Sequence, residues 1–141
     1  MNNTKFYGFL AVQMAATLGL VCLVILWKGS WNATGYVGLI LALAGIIFLF
    51  IARSQLGKSF SVTAQARKLV THGIYSKIRN PIYVFSGMMV LGVLLVVQRP
   101  YLFVLFALLI VMQTWRAHKE AQVLEEKFGD EYRDYRRHTW F

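Results

Sequence analysis

The chain has 141 residues, enough for one domain and too few for a nucleotide-binding α/β domain with a separate substrate domain. Apolar residues make up 57% and charged residues 15%, against about 45–50% and about 25% in soluble proteins, which excludes an ordinary soluble globule and a disordered chain. The single cysteine, Cys22, excludes a disulfide scaffold, and the net charge of +9 admits a nucleic-acid partner only if the basic residues form a patch away from the membrane.

Four apolar runs follow one another. The first, 6–27, is broken only by Gln13 and Thr17. It is too long for a signal-peptide core and lacks a small-x-small cleavage site, so it reads as a retained helix. The second, 36–52, carries no charge. The third and fourth, 82–97 and 101–115, are separated only by Gln98-Arg99-Pro100. A helix needs about 20 residues to cross the hydrocarbon core. The first two runs qualify. The last two reach that length only by extending into polar flanks, and they read as a tight helical hairpin, with a re-entrant pair as the alternative.

The expected fold class is an all-α integral membrane protein. About four transmembrane helices are followed by a cytoplasmic C-terminal helical segment. A single domain over 1–141 divides into two membrane helices (1–52), a basic loop (53–81), the hairpin (82–115) and a cap (116–141). With four crossings, thirteen of the fifteen basic residues fall on the side of both termini and two, Lys28 and Arg99, on the other. The positive-inside rule then makes the N- and C-termini cytoplasmic. It also accounts for the charge without nucleic acid. Membrane lipids are the expected surroundings, and Asn32-Ala33-Thr34 on the far side is a formal glycosylation sequon of high chance frequency. Glycines such as Gly8, Gly19, Gly38, Gly45, Gly87 and Gly92 permit close helix approach within or between chains. Gly38 and Gly45 share one face, and a homo-oligomer through it is one outcome.

The loop 53–81 carries six basic and no acidic side chains, whereas 116–141 carries six of each. Six basic residues at a membrane surface serve topology and attract anionic headgroups. The C-terminal segment predicts a helix running out of the fourth span to about Lys127, ended or kinked at Gly129. Beyond it, Tyr132, Tyr135 and Trp140 fit an interfacial helix with aromatic headgroup anchors. His72, His118 and His138 lack metal-ligand spacing, so no metal is expected.

One constellation at the cytoplasmic interface stands out. Leu69-Val70-Thr71-His72-Gly73-Ile74-Tyr75 fits a turn at Gly73. Ser76-Lys77-Ile78-Arg79-Asn80-Pro81-Ile82-Tyr83 then leads into a helix with Pro81 in its first turn, where a missing N–H costs nothing. Arg116 and Glu120, four apart, share a helix face and can pair. Ionisable residues where membrane meets water merit a functional reading.

These residues resemble a known family. LVTHGIYSKIRNPIY looks like the isoprenylcysteine carboxyl methyltransferase pattern Leu-Val-Thr-x-Gly-x-Tyr followed by Arg-His-Pro-x-Tyr. RAHKEAQVLEEKFGDEYRDY looks like that family's Arg-x-x-x-Glu-Glu-x-x-Leu-x-x-x-Phe-Gly-x-x-Tyr-x-x-Tyr. The resemblance covers about residues 53–137 and extends to phospholipid N-methyltransferases and, more distantly, to membrane sterol reductases. It implies a membrane methyltransferase that uses S-adenosylmethionine, leaves S-adenosylhomocysteine, and takes a lipophilic or lipidated substrate from the bilayer. It implies a cofactor site made of His72, Gly73, Tyr75, Arg79, Asn80, Pro81, Tyr83, Glu120, Tyr132 and Tyr135, and a reaction centre at Arg116 and Glu120.

Two departures bear on the chemistry. Asn80 stands where the family has His, and Asn hydrogen-bonds but does not titrate. Ala121 stands where a second Glu is usual, which leaves Glu120 alone. Carboxyl O-methylation of an isoprenylcysteine-like acceptor is the favoured activity. A phospholipid-type N-methyltransferase, an NADPH-dependent membrane reductase and a non-catalytic membrane subunit are the alternatives. The reductase is opposed by the short chain and the lack of a second basic cluster for a 2′-phosphate.

Overall fold

A stripe of small residues organises the packing. The computed structural model describes residues 31–56 and 69–141, together with Leu18, Gly19, Cys22 and Leu26. The expected first membrane helix, 6–27, otherwise lies outside the described residues, as does 57–68 of the basic loop. The described elements are α1 (Ala33–Leu56), one 3-10 turn (Gly73–Ser76), α2 (Pro81–Val97), α3 (Leu102–Phe128) and α4 (Asp130–His138).

Helix α1 starts at Asn32, whose side-chain Oδ1 accepts a hydrogen bond from the Gly35 N–H at 2.9 Å. An acceptor there satisfies one of the unpaired N–H groups of the first turn. Gly35, Gly38, Ala42, Gly45, Leu49 and Ala52 are its buried residues. Spacings of three and four put them on one face. That face meets α2 backbone to backbone. A Cβ at Gly38 would lie 2.6 Å from the Gly92 carbonyl oxygen, and one at Gly45 would lie 2.6 Å from the Met89 nitrogen. Gly92 in turn faces the Ala42 backbone. The Phe48 and Phe85 rings stack at 5.0 Å further along. The Gly38–Gly45 face is therefore filled, among the described residues, by α2 of the same chain.

Helix α2 opens on Pro81, which is fully buried. It closes at Gln98, whose left-handed backbone (φ 55°) lets its N–H reach the Leu94 carbonyl at 2.8 Å. The Gln98 and Asn32 carboxamides bond reciprocally at 2.7 and 3.1 Å, pinning the ends of α1 and α2 together. Asn32 of the formal sequon is thus a structural cap. After Arg99 and Pro100, α3 runs antiparallel to α2. Gln113 donates to the Ser86 hydroxyl at 3.1 Å, and Ile110 lies beside Gly87.

Helix α3 continues without a break from the apolar fourth run into the charged segment, and that continuity is what brings it to 27 residues. Gly129 stops it, with φ 51° and ψ −119°, a conformation open to glycine at little cost. Helix α4 begins with Asp130 and Glu131 and ends with Arg136, Arg137 and His138, matching the sign of the helix dipole at each end. Arg133 bonds back to Glu125 at 2.9 Å and folds α4 against α3.

α1 and α3 are long and apolar enough to cross a membrane, whereas α2 is apolar but has 17 residues. At about 1.5 Å per residue, α1 spans about 36 Å and α2 about 26 Å, against a hydrocarbon core of about 30 Å. Large apolar side chains such as Ile40, Ile47, Phe50, Leu108 and Val111 stay exposed, as a lipid-facing surface requires. The described residues are helical apart from turns and one isolated two-residue parallel bridge, Ile78 with Trp140, which the all-helical expectation did not contain.

Replacing Gly38 or Gly45 by Leu forces α1 off α2, at a cost of at least about 1–3 kcal/mol. Thermal unfolding in detergent is expected to fall by several degrees for each, while Ile40→Ala on the exposed face leaves the midpoint nearly unchanged.

Candidate active site

The 69–80 loop rests on the polar end of α1. Gly73 has φ +62°, and a Cβ there would collide with the Gln55 carboxamide. The Gln55 Oε1 accepts the Ile74 N–H at 2.8 Å, so α1 sets the height and direction of the turn. Tyr75 is buried in a cluster with Ala52 and Val70, packed against Leu56, Ile82 and Phe85. The expected turn at Gly73 and helix start at Pro81 are both present.

The reaction-centre candidates converge. Tyr83, in the first turn of α2, donates its hydroxyl to Glu120 Oε1 at 2.6 Å. Arg116 Nε lies 3.4 Å from the same oxygen. Glu120 is partly buried and Arg116 half exposed, with side-chain exposures of 29% and 50%. Pairing at that exposure contributes a few tenths of a kcal/mol; its main effect is orientation. One residue before each of that pair on α3, Lys119 lies over the Trp115 ring at 3.8 Å, a cation and an aromatic where the apolar half of α3 ends.

Helix α4 completes the junction from the other side. Tyr132 is fully buried, and Tyr135 donates its hydroxyl to the Tyr75 carbonyl at 2.7 Å. The two rings lie 6.2 Å apart. Neither tyrosine is a headgroup anchor, because both turn inward to the loop, which corrects the interfacial-anchor expectation. Trp140 is exposed. Its backbone pairs with the loop: Trp140 N–H donates to the Lys77 carbonyl at 3.0 Å, and Arg79 N–H donates back to the Trp140 carbonyl at 3.1 Å. Asn80 N–H donates to the Phe141 carbonyl at 2.9 Å.

Burial governs the phenols. It pushes Tyr75 well above the ordinary tyrosine value, helped by neighbouring Tyr135 and opposed by Arg53. It raises Tyr132, with Arg79 and Arg136 opposing. It pushes Tyr135 up to about 12, with Tyr132 adding and Arg79 opposing. All three are neutral hydrogen-bonding groups at physiological pH.

Ten of the eleven candidate positions, all but His72, gather at this junction of loop, α2, α3 and α4. His72 is exposed and makes no capping bond to the turn that follows it. Asn80 acts through its backbone; its side chain makes no capping bond to α2. Gln55 and the 140–141 pairing were not read from the sequence. A glutamine at the end of an apolar helix is a weak signal, and backbone pairing across 60 residues leaves none. Among the described residues no group of three His, Cys, Asp or Glu is placed to hold a metal.

A motif loop is seated on the end of α1, one of two helices long and apolar enough to cross a membrane, and the C-terminal helix α4 closes over it. A family model described as phospholipid methyltransferase matches residues 33–131. The chain belongs to that family of membrane methyltransferases, which includes the isoprenylcysteine carboxyl methyltransferases. No curated protein and no solved structure matches the chain. The membership favours methyl transfer over nicotinamide-dependent reduction.

The Tyr135 shift carries a sign. A phenol of ordinary value about 10 when unfolded and about 12 when folded favours the folded state fully below about pH 10. That contribution is lost as pH rises through about 12, where the folded phenol also ionises. Tyr135→Phe is expected to flatten the decline of thermal stability between pH 10 and 12, read by circular dichroism.

Proposed function

We propose that this methyltransferase uses S-adenosylmethionine to methylate the carboxylate of a lipid-soluble, isoprenylcysteine-like acceptor. The convergence of Tyr83 and Arg116 on Glu120, beside the Gly73–Pro81 loop, is the observation that carries this reading.

The residues fit the cofactor. Aromatic rings from Tyr75, Tyr83, Tyr132 and Tyr135 meet at one junction, where they suit an adenine and a cationic sulfur. The buried hydroxyls of Tyr75 and Tyr132 and the Arg79 Nε have no hydrogen-bond partner among the described residues. Buried polar groups normally have partners, and the amino-acid end of such a molecule supplies them. When bound, the cofactor supplies an electrophilic methyl group on positively charged sulfur.

The chain's own groups then orient and exclude water. Arg116 receives the acceptor carboxylate by two parallel N–H bonds. Glu120 fixes the guanidinium plane and is itself held by Tyr83. A carboxylate oxygen attacks without losing a proton, so no general base is required; positioning is the main contribution. The acceptor enters from lipid between the exposed apolar faces, and the membrane reading keeps four crossings, the last two a tight hairpin, with both termini cytoplasmic.

A second reading is supported by the family match itself. For a phospholipid amine a proton must leave, and Glu120 is the acid at the centre placed to take it.

Purified protein in proteoliposomes, given radiolabelled S-adenosylmethionine, is expected to form a base-labile methyl ester on a farnesylated thioether carboxylate. Arg116→Ala is expected to cost about a hundredfold in turnover. Glu120→Gln is expected to cost about tenfold with this acceptor and to abolish transfer to phosphatidylethanolamine. Full turnover by Arg116→Ala would sink the carboxylate reading, and transfer to the amine alone would put the second reading in its place.

A further inference from the structure

One polar contact joins the apolar stretches of α2 and α3. Gln113 Nε2 donates to the Ser86 hydroxyl at 3.1 Å, and both residues are partly buried. A carboxamide among the apolar side chains of a membrane-length helix is a functional candidate. The bland account is a tie between two helices. The hydrogen bonds go further than a tie requires. The Ser86 hydroxyl has one proton, which goes to the Tyr83 carbonyl at 3.1 Å. Ser86 can then only accept from Gln113. The carboxamide nitrogen is thereby committed to α2, and Gln113 Oε1 accepts no hydrogen bond among the described residues. An oriented acceptor in an apolar setting is unfinished without a donor.

Its position is next to the reaction centre. Gln113 stands three residues before Arg116 and seven before Glu120, so it shares their side of α3. At about 1.5 Å per residue it lies about 4.5 Å, close to one turn, on the apolar side of Arg116. Ser86 follows Tyr83 by the same spacing on α2. Gly87 leaves room at this level. A Cβ on it would find Ile110 Cδ1 at 3.5 Å and Gln113 Oε1 at 3.8 Å, ordinary contacts. At Gly38, Gly45 and Gly92 the nearest atoms lie at 2.4–2.6 Å. Helices α2 and α3 thus stand further apart than α1 and α2, and Oε1 borders the space between them.

We propose that Gln113, oriented by Ser86, is a specificity-determining residue whose Oε1 accepts a hydrogen bond from an amide N–H of the methyl acceptor. This rests on the carboxylate-methylation reading and deepens it by naming the acceptor class, an isoprenylcysteine whose nitrogen is acylated. In such a molecule the amide nitrogen and the carboxylate share one carbon. A carboxylate on Arg116 brings that N–H within reach of a group one turn below. Beyond its reacting amine, phosphatidylethanolamine offers only hydrogen-bond acceptors and would leave Oε1 unanswered. Ser86 is a positioning residue, acting through Gln113.

Two acceptors that differ in this one group test the assignment. N-acetyl-S-farnesylcysteine carries the amide. 3-(Farnesylthio)propanoate keeps the thioether and carboxylate, with hydrogen in place of the acetamido group. Methyl-ester formation in proteoliposomes gives kcat/KM for each. The wild-type protein is expected to prefer the amide-bearing acceptor about tenfold, the size of one hydrogen bond in a partly buried setting. Gln113→Leu is expected to bring that ratio to about one, through a higher KM for the amide-bearing acceptor. Ser86→Ala frees the carboxamide to rotate and is expected to lower the ratio about threefold.

A wild-type ratio near one overturns the proposal and leaves carboxylate methylation standing; that measurement needs no variant to fold. An equal loss on both acceptors in Gln113→Leu marks a helix tie and overturns it, as does a preference that survives the substitution. A wild-type protein that methylates neither carboxylate refutes the carboxylate reading, and the Gln113 assignment falls with it.

Discussion

Between α1 and α2 no side chain intervenes at the closest points. The Gly92 carbonyl, the Met89 amide and the Ala42 backbone lie where a methyl group on Gly38, Gly45 or Gly92 would have to go. In lipid there is little hydrophobic drive to join two apolar helices, and close backbone packing supplies it. The seam is locked at one end by the reciprocal Asn32–Gln98 carboxamide bonds. At the other end it delivers Gln55 beneath the Gly73 turn. Everything on the polar side of the molecule inherits its position from that register.

From there the chain is guided twice more. The Gly73 turn, seated on Gln55, aims the loop at Pro81, and α2 then presents Tyr83 to α3. Helix α3 is long enough to carry Arg116 and Glu120 beyond its apolar half to meet it. The kink at Gly129 sends α4 back, Arg133 and Glu125 clasp it to α3, and residues 140–141 return to the loop by backbone pairing. Tyr83, Glu120 and Tyr135 are therefore each held by an element remote in sequence. That suits chemistry whose demand on the protein is geometric.

The site was partly legible. Gly73, Pro81 and Gly129 declare themselves because their conformations are local: two left-handed glycine turns and a helix start that tolerates a missing N–H. The Arg116–Glu120 pair follows from helical spacing alone. The sequence leaves the tyrosines two fates, headgroup anchors or part of the site. Tyr132 and Tyr135 lie on a charged, amphipathic helix whose polarity suits a membrane surface equally well. Only the docking of α4 on the loop turns them inward.

Composition, charge placement and apolar periodicity determined the class: helices of membrane length, a basic loop, a charged helical cap, and two motifs on opposite sides of an apolar pair. These are properties of single segments, set by transfer energies and local backbone preference. The tertiary structure alone decided that the glycine face of α1 serves α2 of the same chain. It also decided that Gln55 supports the motif turn, that Glu120 takes both Tyr83 and Arg116, and that the Arg79 Nε and the Tyr132 hydroxyl are buried without a partner among the described residues. Those outcomes depend on how far apart two backbones settle and which hydrogen-bonding groups then lack a partner, and neither is encoded within any one stretch of the chain.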